Sequence, residues 1–221
     1  MGTIGSWQGE TGMKRSKKVV GIVTISVVGL VLLVLTSRGS HYAADVTHHH
    51  HFKIDMPFDE LRKIMVRSSA CREIMNAGKH NELLSQKWNN KSFHLGQLSF
   101  SNPDWKVDAS GELKVRFTDP YIGTAIAQFT QTVAIVPENI NSLVKLNEPV
   151  EELLIYNVTT EMGSKGKESE IRQTLQLKID TPDPWYARWY ARSRVRASTR
   201  KILRAMEDHI VTAVNKHKGQ Y

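Results

Sequence analysis

Four consecutive histidines, His48–His51, come nearest of all residues in this chain to metal chemistry. Neutral imidazole nitrogens are common zinc ligands. In an extended strand, however, neighbouring side chains point to opposite faces, so only His48 with His50, or His49 with His51, would share an ion. Nothing adjacent in the sequence completes such a ligand set. The run therefore favours a polar strand start or a solvated segment, and we predict no metal site.

A second kind of chemistry would use the single cysteine, Cys71, as a nucleophile with a histidine as its base. Cys71 falls inside a predicted amphipathic helix, and a pairing with His80 or His94 would depend on the tertiary fold. A small buried or half-buried thiol is the favoured interpretation.

The carboxylates Glu151 and Glu152, which are neighbours in the sequence, begin a predicted strand. Because neighbouring side chains diverge in a strand, we interpret them as a solvated edge rather than an acid and base pair.

The chain also carries no Gly-rich phosphate loop and no HExxH helix. The sequence thus predicts no catalytic residue and no cofactor. It favours a non-enzymatic protein without excluding an enzyme. With one cysteine, an intramolecular disulfide and a thiolate metal cluster are both excluded.

The formal charge of +8 is unevenly distributed along the 221 residues. Residues 185–221 hold nine Lys and Arg against two acids, and residues 1–37 hold four against one. The intervening residues 38–184 are slightly acidic. Because the body of the domain is not basic, we expect no nucleic-acid partner.

The apolar segment from Val19 to Leu35 has 17 residues without a charge. A helix of that length spans about 26 Å, close to the ~30 Å hydrocarbon core of a bilayer. Four basic residues precede it, so the positive-inside rule predicts a cytoplasmic N-terminus at 1–18, a transmembrane helix at 19–37 and an extracytoplasmic C-terminal domain, periplasmic if the protein is bacterial. A cleaved signal peptide is the alternative, disfavoured by the length of the apolar run and the absence of an A-x-A site.

Behind a linker at 38–51, the patterning predicts an α+β domain over 52–218. Phe52, Ile54 and Met56 alternate as in a half-buried strand, helical spacing follows from Phe58 to Ile74, and 81–88 is predicted as a second short helix. From Lys91 the period changes to two, with turns predicted at 109–112 and 163–169 and an ambiguous connection at 137–146. The predicted strands cover residues 92–100, 105–117, 124–136, 153–162 and 170–180.

A long amphipathic helix is predicted after Pro184. From about Val195 onward an apolar sector of about 120° predicts a core-covering helix. The basic residues opposite that sector are Arg194, Arg200, Lys201 and Arg204, whereas Arg188 and Arg192 project onto the apolar side. In residues 185–196, tryptophan and tyrosine alternate with arginine, which suits a membrane interface. Plain packing and contact with a membrane or a protein partner both remain open there. The predicted apolar sector comprises Val195, Thr199, Ile202, Leu203, Met206, Ile210, Ala213 and Val214. The predicted contact residues are Trp185, Arg188, Trp189, Arg192 and Arg196.

The element order resembles the START-like helix-grip superfamily (the SRPBCC group, with polyketide cyclases and lipid-transfer domains) from Phe52 to about Val214. In that family a first strand ends at a proline, and an acidic helix start and an apolar residue follow. Residues 104–117 look like its early hairpin, and the C-terminal helix looks like its lid. The residues that carry the resemblance at the first junction are Ile54, Pro57, Asp59, Glu60 and Leu61.

The resemblance implies a curved antiparallel sheet gripping the long helix, with a cavity between them for a lipid or other hydrophobic ligand. It implies no universal catalytic residues. The alternative is a membrane-anchored interaction or assembly subunit of an envelope complex, with a solid core and no ligand. Only the interior of the folded domain discriminates the two classes, a ligand cavity supporting the first and a filled core the second. The sequence does not, because cavity-lining and core residues show the same alternation.

Overall fold

The computed structural model describes residues 41–67, 69–76, 81–99, 102–119, 123–182 and 187–219. Within these ranges the chain forms seven strands and three helices, in the order strand, two helices, six strands, helix. Their bounds are β1 Tyr42–Ile54, α1 Phe58–Met65, α2 Ala70–Asn76, β2 Asn81–Ser99, β3 Asn102–Asp119, β4 Gly123–Ile135, β5 Asn139–Leu146, β6 Leu153–Lys165, β7 Glu168–Thr181 and α3 Arg188–His217.

The seven strands form one antiparallel sheet in the order β1-β7-β6-β5-β4-β3-β2. The first strand therefore pairs with the last, and β1 and β2 are the two edges. Helices α1 and α2 connect these edges, while α3 packs mainly against β1 and β7. This curved sheet with a long C-terminal helix is consistent with the expected helix-grip arrangement.

Strand β1 begins ten residues before the predicted start of the domain at Phe52. Thirteen residue pairs join it to β7, from Tyr42 opposite Thr181 to Ile54 opposite Ser169. The linker predicted at 38–51 is therefore wrong from Tyr42 onward. Histidine is neither strongly apolar nor a turn former, so the run of four obscured the strand alternation on both sides of it.

The predictions for 58–88 are partly wrong. The helical segment is divided into α1 and α2, and 81–88 belongs to strand β2 rather than to a helix. In β2 the pairing with β3 outweighs the helical propensity of the segment, and Leu83 is buried in the core. Asp59 and Glu60 lie in the first turn of α1, where the positive end of the helix dipole favours them.

The turn predicted at 109–112 is also wrong, because β3 continues without interruption through Gly111. Gly111 lies opposite Trp88, and a side chain there would collide with the backbone of β2. The ambiguous connection at 137–146 contains strand β5. The turn at 163–169 is confirmed: Gly166 takes a φ of +68° between β6 and β7.

Two apolar clusters fill the space between the sheet and the helices. The first apolar cluster consists of Ala44, Val46, Leu83, Leu113, Val115, Ala127, Phe129, Leu146, Leu153, Val158, Leu175, Leu177, Ile179, Val195 and Leu203. The second apolar cluster consists of Phe52, Ile54, Met56, Phe58, Leu61, Ile64, Ile135, Ile140, Met162, Ile171, Ile210 and Val214.

The apolar sector predicted for the C-terminal helix is confirmed. Six of its eight residues are buried, and Ile202 and Met206 pack partly buried against the first apolar cluster. The predicted transmembrane helix at 19–37 lies outside the described residues. None of the helices in the described ranges is long and apolar enough to cross a membrane.

Candidate functional site

A row of polar side chains crosses the inner face of the sheet between the two apolar clusters. His50 on β1 pairs with Gln173 on β7, Gln173 with Thr160 on β6, and Thr160 with Ser142 on β5. Each side chain stands where the alternation of its strand points inward, since the positions two residues away include buried apolar residues such as Phe52. We call these four residues the polar seam.

Gln173 is the centre of the polar seam. It is 1% exposed, and neither its amide nitrogen nor its amide oxygen has a hydrogen-bond partner among the described residues. Its inward neighbours along β7, Ile171 and Leu175, are both fully buried. A buried amide without partners costs about 1–3 kcal/mol, and most buried polar groups in proteins are paired. Gln173 therefore offers a donor and an acceptor that no described residue uses.

Helix α3 adds one charged group above the polar seam. The Nε2–H of His50 donates to Glu207 Oε2 over 2.6 Å, and the proton belongs to the ring because a carboxylate only accepts. These two residues are 157 positions apart in the sequence. His48 also points toward α3 and lies close to Arg196 and Arg200.

Acidification is expected to weaken the domain through His48. Its burial first, and then the positive charge of Arg200, lower the pKa of His48 below 6.5. The folded protein thus binds this proton less readily than the unfolded chain, so the stability is complete above pH 6.5 and declines as the pH falls through it. Urea unfolding at about pH 7.5 and about pH 5.5 should show a smaller loss for His48→Gln than for wild type.

The matched control is His94→Gln, because His94 is exposed on β2 at the opposite edge of the sheet from His48. That variant should keep the full wild-type loss on acidification. Equal losses in His48→Gln and wild type would contradict the assignment to His48.

Helix α3 covers the inner face of β3–β5 less than it covers that of β1 and β7. Ala109, Val133 and Val144 point inward on these strands but are only half-buried. Tyr156 of β6 contacts Phe129 edge to face at 5.6 Å, and burial raises its pKa to about 12, so the phenol stays protonated. Ala109, Val133 and Val144 lie beside Ser142 and form an apolar surface that is continuous with the polar seam.

The other two histidines of the run point away from α3. His49 is hydrogen-bonded to Thr174 at 2.9 Å, and His51 donates to Glu170 at 2.8 Å. The structure therefore separates the run into two faces, as the alternation predicted. Within the described part of the chain, no group of three or more His, Cys, Asp or Glu side chains is placed to hold a metal ion.

The remaining candidates for chemistry are not brought together. Glu151 and Glu152 lie in the turn before β6 rather than at a strand start. The side chain of Cys71 and the whole of His80 lie outside the described residues. His94 is exposed.

Of the predicted contact residues, Arg188, Trp189, Arg192 and Arg196 are exposed on the first three turns of α3. Trp185 lies outside the described residues. Contact of these side chains with a membrane or partner stays a prediction.

Neither of two pockets on the molecule is lined by Gln173, although the first reaches Ser142 at the end of the polar seam. One, of about 390 Å³, lies on the sheet and is lined mostly by residues that alternate away from the core. The other, of about 150 Å³, lies between the end of β1 and the C-terminal part of α3. The first is lined by Asn90, Ser92, Asp108, Ala109, Ser110, Thr132, Val133, Ala134, Asn141, Ser142, Leu143 and Thr159.

No family model and no curated protein matches this chain. Among solved structures, it is similar to a protein from Thermus thermophilus with a TM-score of 0.48 at 8% identity, over 79% of this chain and 100% of the other. It is similar to the Zhui aromatase/cyclase from a Streptomyces species with a TM-score of 0.46 at 9% identity, over 78% and 95%. A START superfamily protein from Mycobacterium smegmatis gives a TM-score of 0.42 at 10% identity, over 77% and 97%. Similarity at this level carries no statement about ligand or activity.

The sequence interpretation missed the polar seam altogether. Gln173 was detectable, because it is the one polar residue at an inward position between Ile171 and Ile179. Thr160 and Ser142 were not, since short polar residues are common on both faces of strands. Their alignment with Gln173 depends on the strand order.

Proposed function

We propose that this chain is a membrane-tethered, non-enzymatic helix-grip domain that binds a lipid or another hydrophobic molecule between the sheet and α3. The observation that carries the proposal is the unpaired amide of Gln173, fully buried between two apolar clusters. A molecule with an apolar body and a single hydrogen-bonding group suits this arrangement. The tether is proposed from residues 19–37, and places the domain outside the cytoplasm.

The apolar body of the ligand is expected over β3–β5. There Val133 and Val144 offer inward apolar surface that is only half-buried. Its polar group would then meet Thr160 and Gln173, which can donate and accept hydrogen bonds. Burial of such surface contributes roughly 25 cal/mol for each Å² removed from water.

A second candidate function is a solid interaction or assembly subunit that takes no ligand. One observation favours it: α3 packs directly on β1 and β7, and neither pocket described above is lined by Gln173. In that case Gln173 is a buried polar group that confers specificity on the core rather than a ligand contact.

Mass spectrometry of solvent extracts distinguishes these functions. A fragment of residues 38–221 contains all the described elements, and should be exported as the predicted topology requires and purified without detergent. A stoichiometric, reproducible lipid or isoprenoid would support the binding domain. A clean extract from folded protein would favour the interaction subunit.

Replacement of Gln173 by methionine, which has a similar length and shape, is expected to raise the free energy of unfolding of the ligand-free domain by about 1–3 kcal/mol. The same change should lower the amount of co-purified ligand, because its polar group loses a partner. Urea unfolding and quantified extracts provide both measurements. Gln128→Met, on an exposed position of β4, is the control and should change neither. If Gln173→Met were less stable than wild type, the assignment of the Gln173 amide as unpaired would be wrong.

A further inference from the structure

Helix α3 carries five arginines at four-residue intervals, and all five are exposed. No carboxylate of the described ranges lies within ion-pair distance of any of them. Over 16 residues they extend about 24 Å along the helix. A row of exposed guanidinium groups without a carboxylate at ion-pair distance gives this part of α3 a positive potential, which suits an anionic partner outside the chain. The five are Arg188, Arg192, Arg196, Arg200 and Arg204.

The exposed aromatic residues of α3 belong to the same surface. Trp189 is 75% exposed and Tyr190 is 49% exposed, and their rings contact each other at 5.9 Å. Between residues 188 and 204 the five arginines, Trp189, Tyr190 and Ser193 are exposed, whereas Ala191, Val195 and Thr199 are buried. We call this exposed surface of residues 188–204 the Trp–Arg face. Tryptophan with arginine is the combination found at headgroup depth, where the ring is half-solvated and the guanidinium binds phosphate.

The fold places the Trp–Arg face beside the point where the chain enters the domain. The guanidinium of Arg188 lies 5.4 Å from the ring of Tyr42, the first residue of β1. From Ser37, the end of the predicted transmembrane helix, to Tyr42 the chain spans at most about 18 Å. A bilayer crossed at 19–37 would therefore lie within reach of the first turns of α3.

We propose that the Trp–Arg face docks on an anionic lipid surface. This inference goes beyond ligand binding, although it uses the same predicted tether. An acidic protein surface would satisfy the charges equally, but the exposed tryptophan and the adjacent chain entry at Tyr42 both favour lipid. Docking would hold the N-terminal end of α3 at the headgroups while its C-terminal half remains packed on the sheet.

Photo-crosslinking of the full chain tests the docking. A benzophenone amino acid is placed at Ser193, which is exposed within the Trp–Arg face, and at Leu143 on the outer face of the sheet as the positional control. The protein is reconstituted in phosphatidylcholine vesicles with and without phosphatidylglycerol. We expect a lipid adduct at Ser193 that depends on phosphatidylglycerol, and little adduct at Leu143.

Substitution of three arginines by glutamine completes the test. Each arginine near an anionic surface contributes roughly fivefold to partitioning, so three contribute about a hundredfold. The adduct at position 193 should fall at least about tenfold in the triple variant and stay unchanged in a control that removes equal charge from the sheet. The triple variant changes Arg192, Arg196 and Arg200, and the control changes Lys87, Lys114 and Lys145, all exposed.

Three outcomes of the vesicle experiment would overturn the docking. They are equal adducts with and without phosphatidylglycerol, equal adducts at the two probe positions, and equal losses in the two triple variants. In native membranes, a crosslink from position 193 to a polypeptide and none to lipid would show that the face binds a protein, and this result would also reject the proposal. None of these results depends on the extracts that test ligand binding, so the two proposals fail separately.

Discussion

Leu203→Ala is expected to lower the free energy of unfolding by about 3 kcal/mol. Leu203 is 0% exposed on α3 and packs in the first apolar cluster, so its removal leaves a cavity between the helix and the sheet. Because α3 covers the sheet chiefly along β1 and β7, weakened packing here also loosens the region of the polar seam. Urea unfolding followed by circular dichroism measures the effect.

The control for this substitution is Lys201→Ala, two residues earlier on the exposed side of the same helix. It should change the free energy of unfolding by no more than about 0.5 kcal/mol. If Leu203→Ala cost less than about 1 kcal/mol, which is below the range for buried leucine, α3 would not be docked as described.

Gly111→Ala is expected to cost about 3 kcal/mol, at the upper end for overpacking. A Cβ at this position would lie 2.5 Å from the carbonyl oxygen of Lys87 and 3.1 Å from two atoms of Trp88. The oxygen belongs to the backbone of β2 and moves only if the β2–β3 pairing shifts. Amide hydrogen exchange should therefore show lost protection in β2 and β3, together with a lower unfolding midpoint.

Gly163→Ala is the matched control within the same sheet. Its added Cβ would meet only the Glu138 carbonyl oxygen at 3.6 Å, an ordinary contact. We expect a change of less than about 1 kcal/mol and unchanged protection of β2 and β3. Similar costs at Gly111 and Gly163 would show that the close approach at Gly111 does not exist.

Strong alternation in the sequence located β4, β6 and β7 to within a few residues. In these strands most alternate positions are apolar, as at Ile171, Leu175, Leu177 and Ile179 in β7, and this period of two indicates a strand. The 3.6-residue period of α3 was equally informative. Where the alternation was interrupted, as at His48–His51 in β1, or ran across a turn-like stretch, as at 109–112 in β3, the prediction failed.

Those failures have a common physical reason. Pairing with a neighbouring strand stabilises an extended segment whatever its local preference, and the neighbour is chosen by the whole fold. β1 is stabilised by β7, more than a hundred residues later, and that partner is not visible in a window of ten or twenty residues. β3 continues through 109–112 because Gly111 permits the close approach of β2.

The sequence by itself determined the α+β class, the buried side of the C-terminal helix and the concentration of arginine along its first half, because periodicity and charge are local properties. Only the tertiary structure decided which polar residues meet. His50, Gln173, Thr160 and Glu207 belong to four elements, and alternation shows which face a residue takes but not which residue lies opposite it. The strand order aligns them beneath α3, and the same order brings Tyr42 against Arg188. Both proposals depend on the pairing of the first strand with the last.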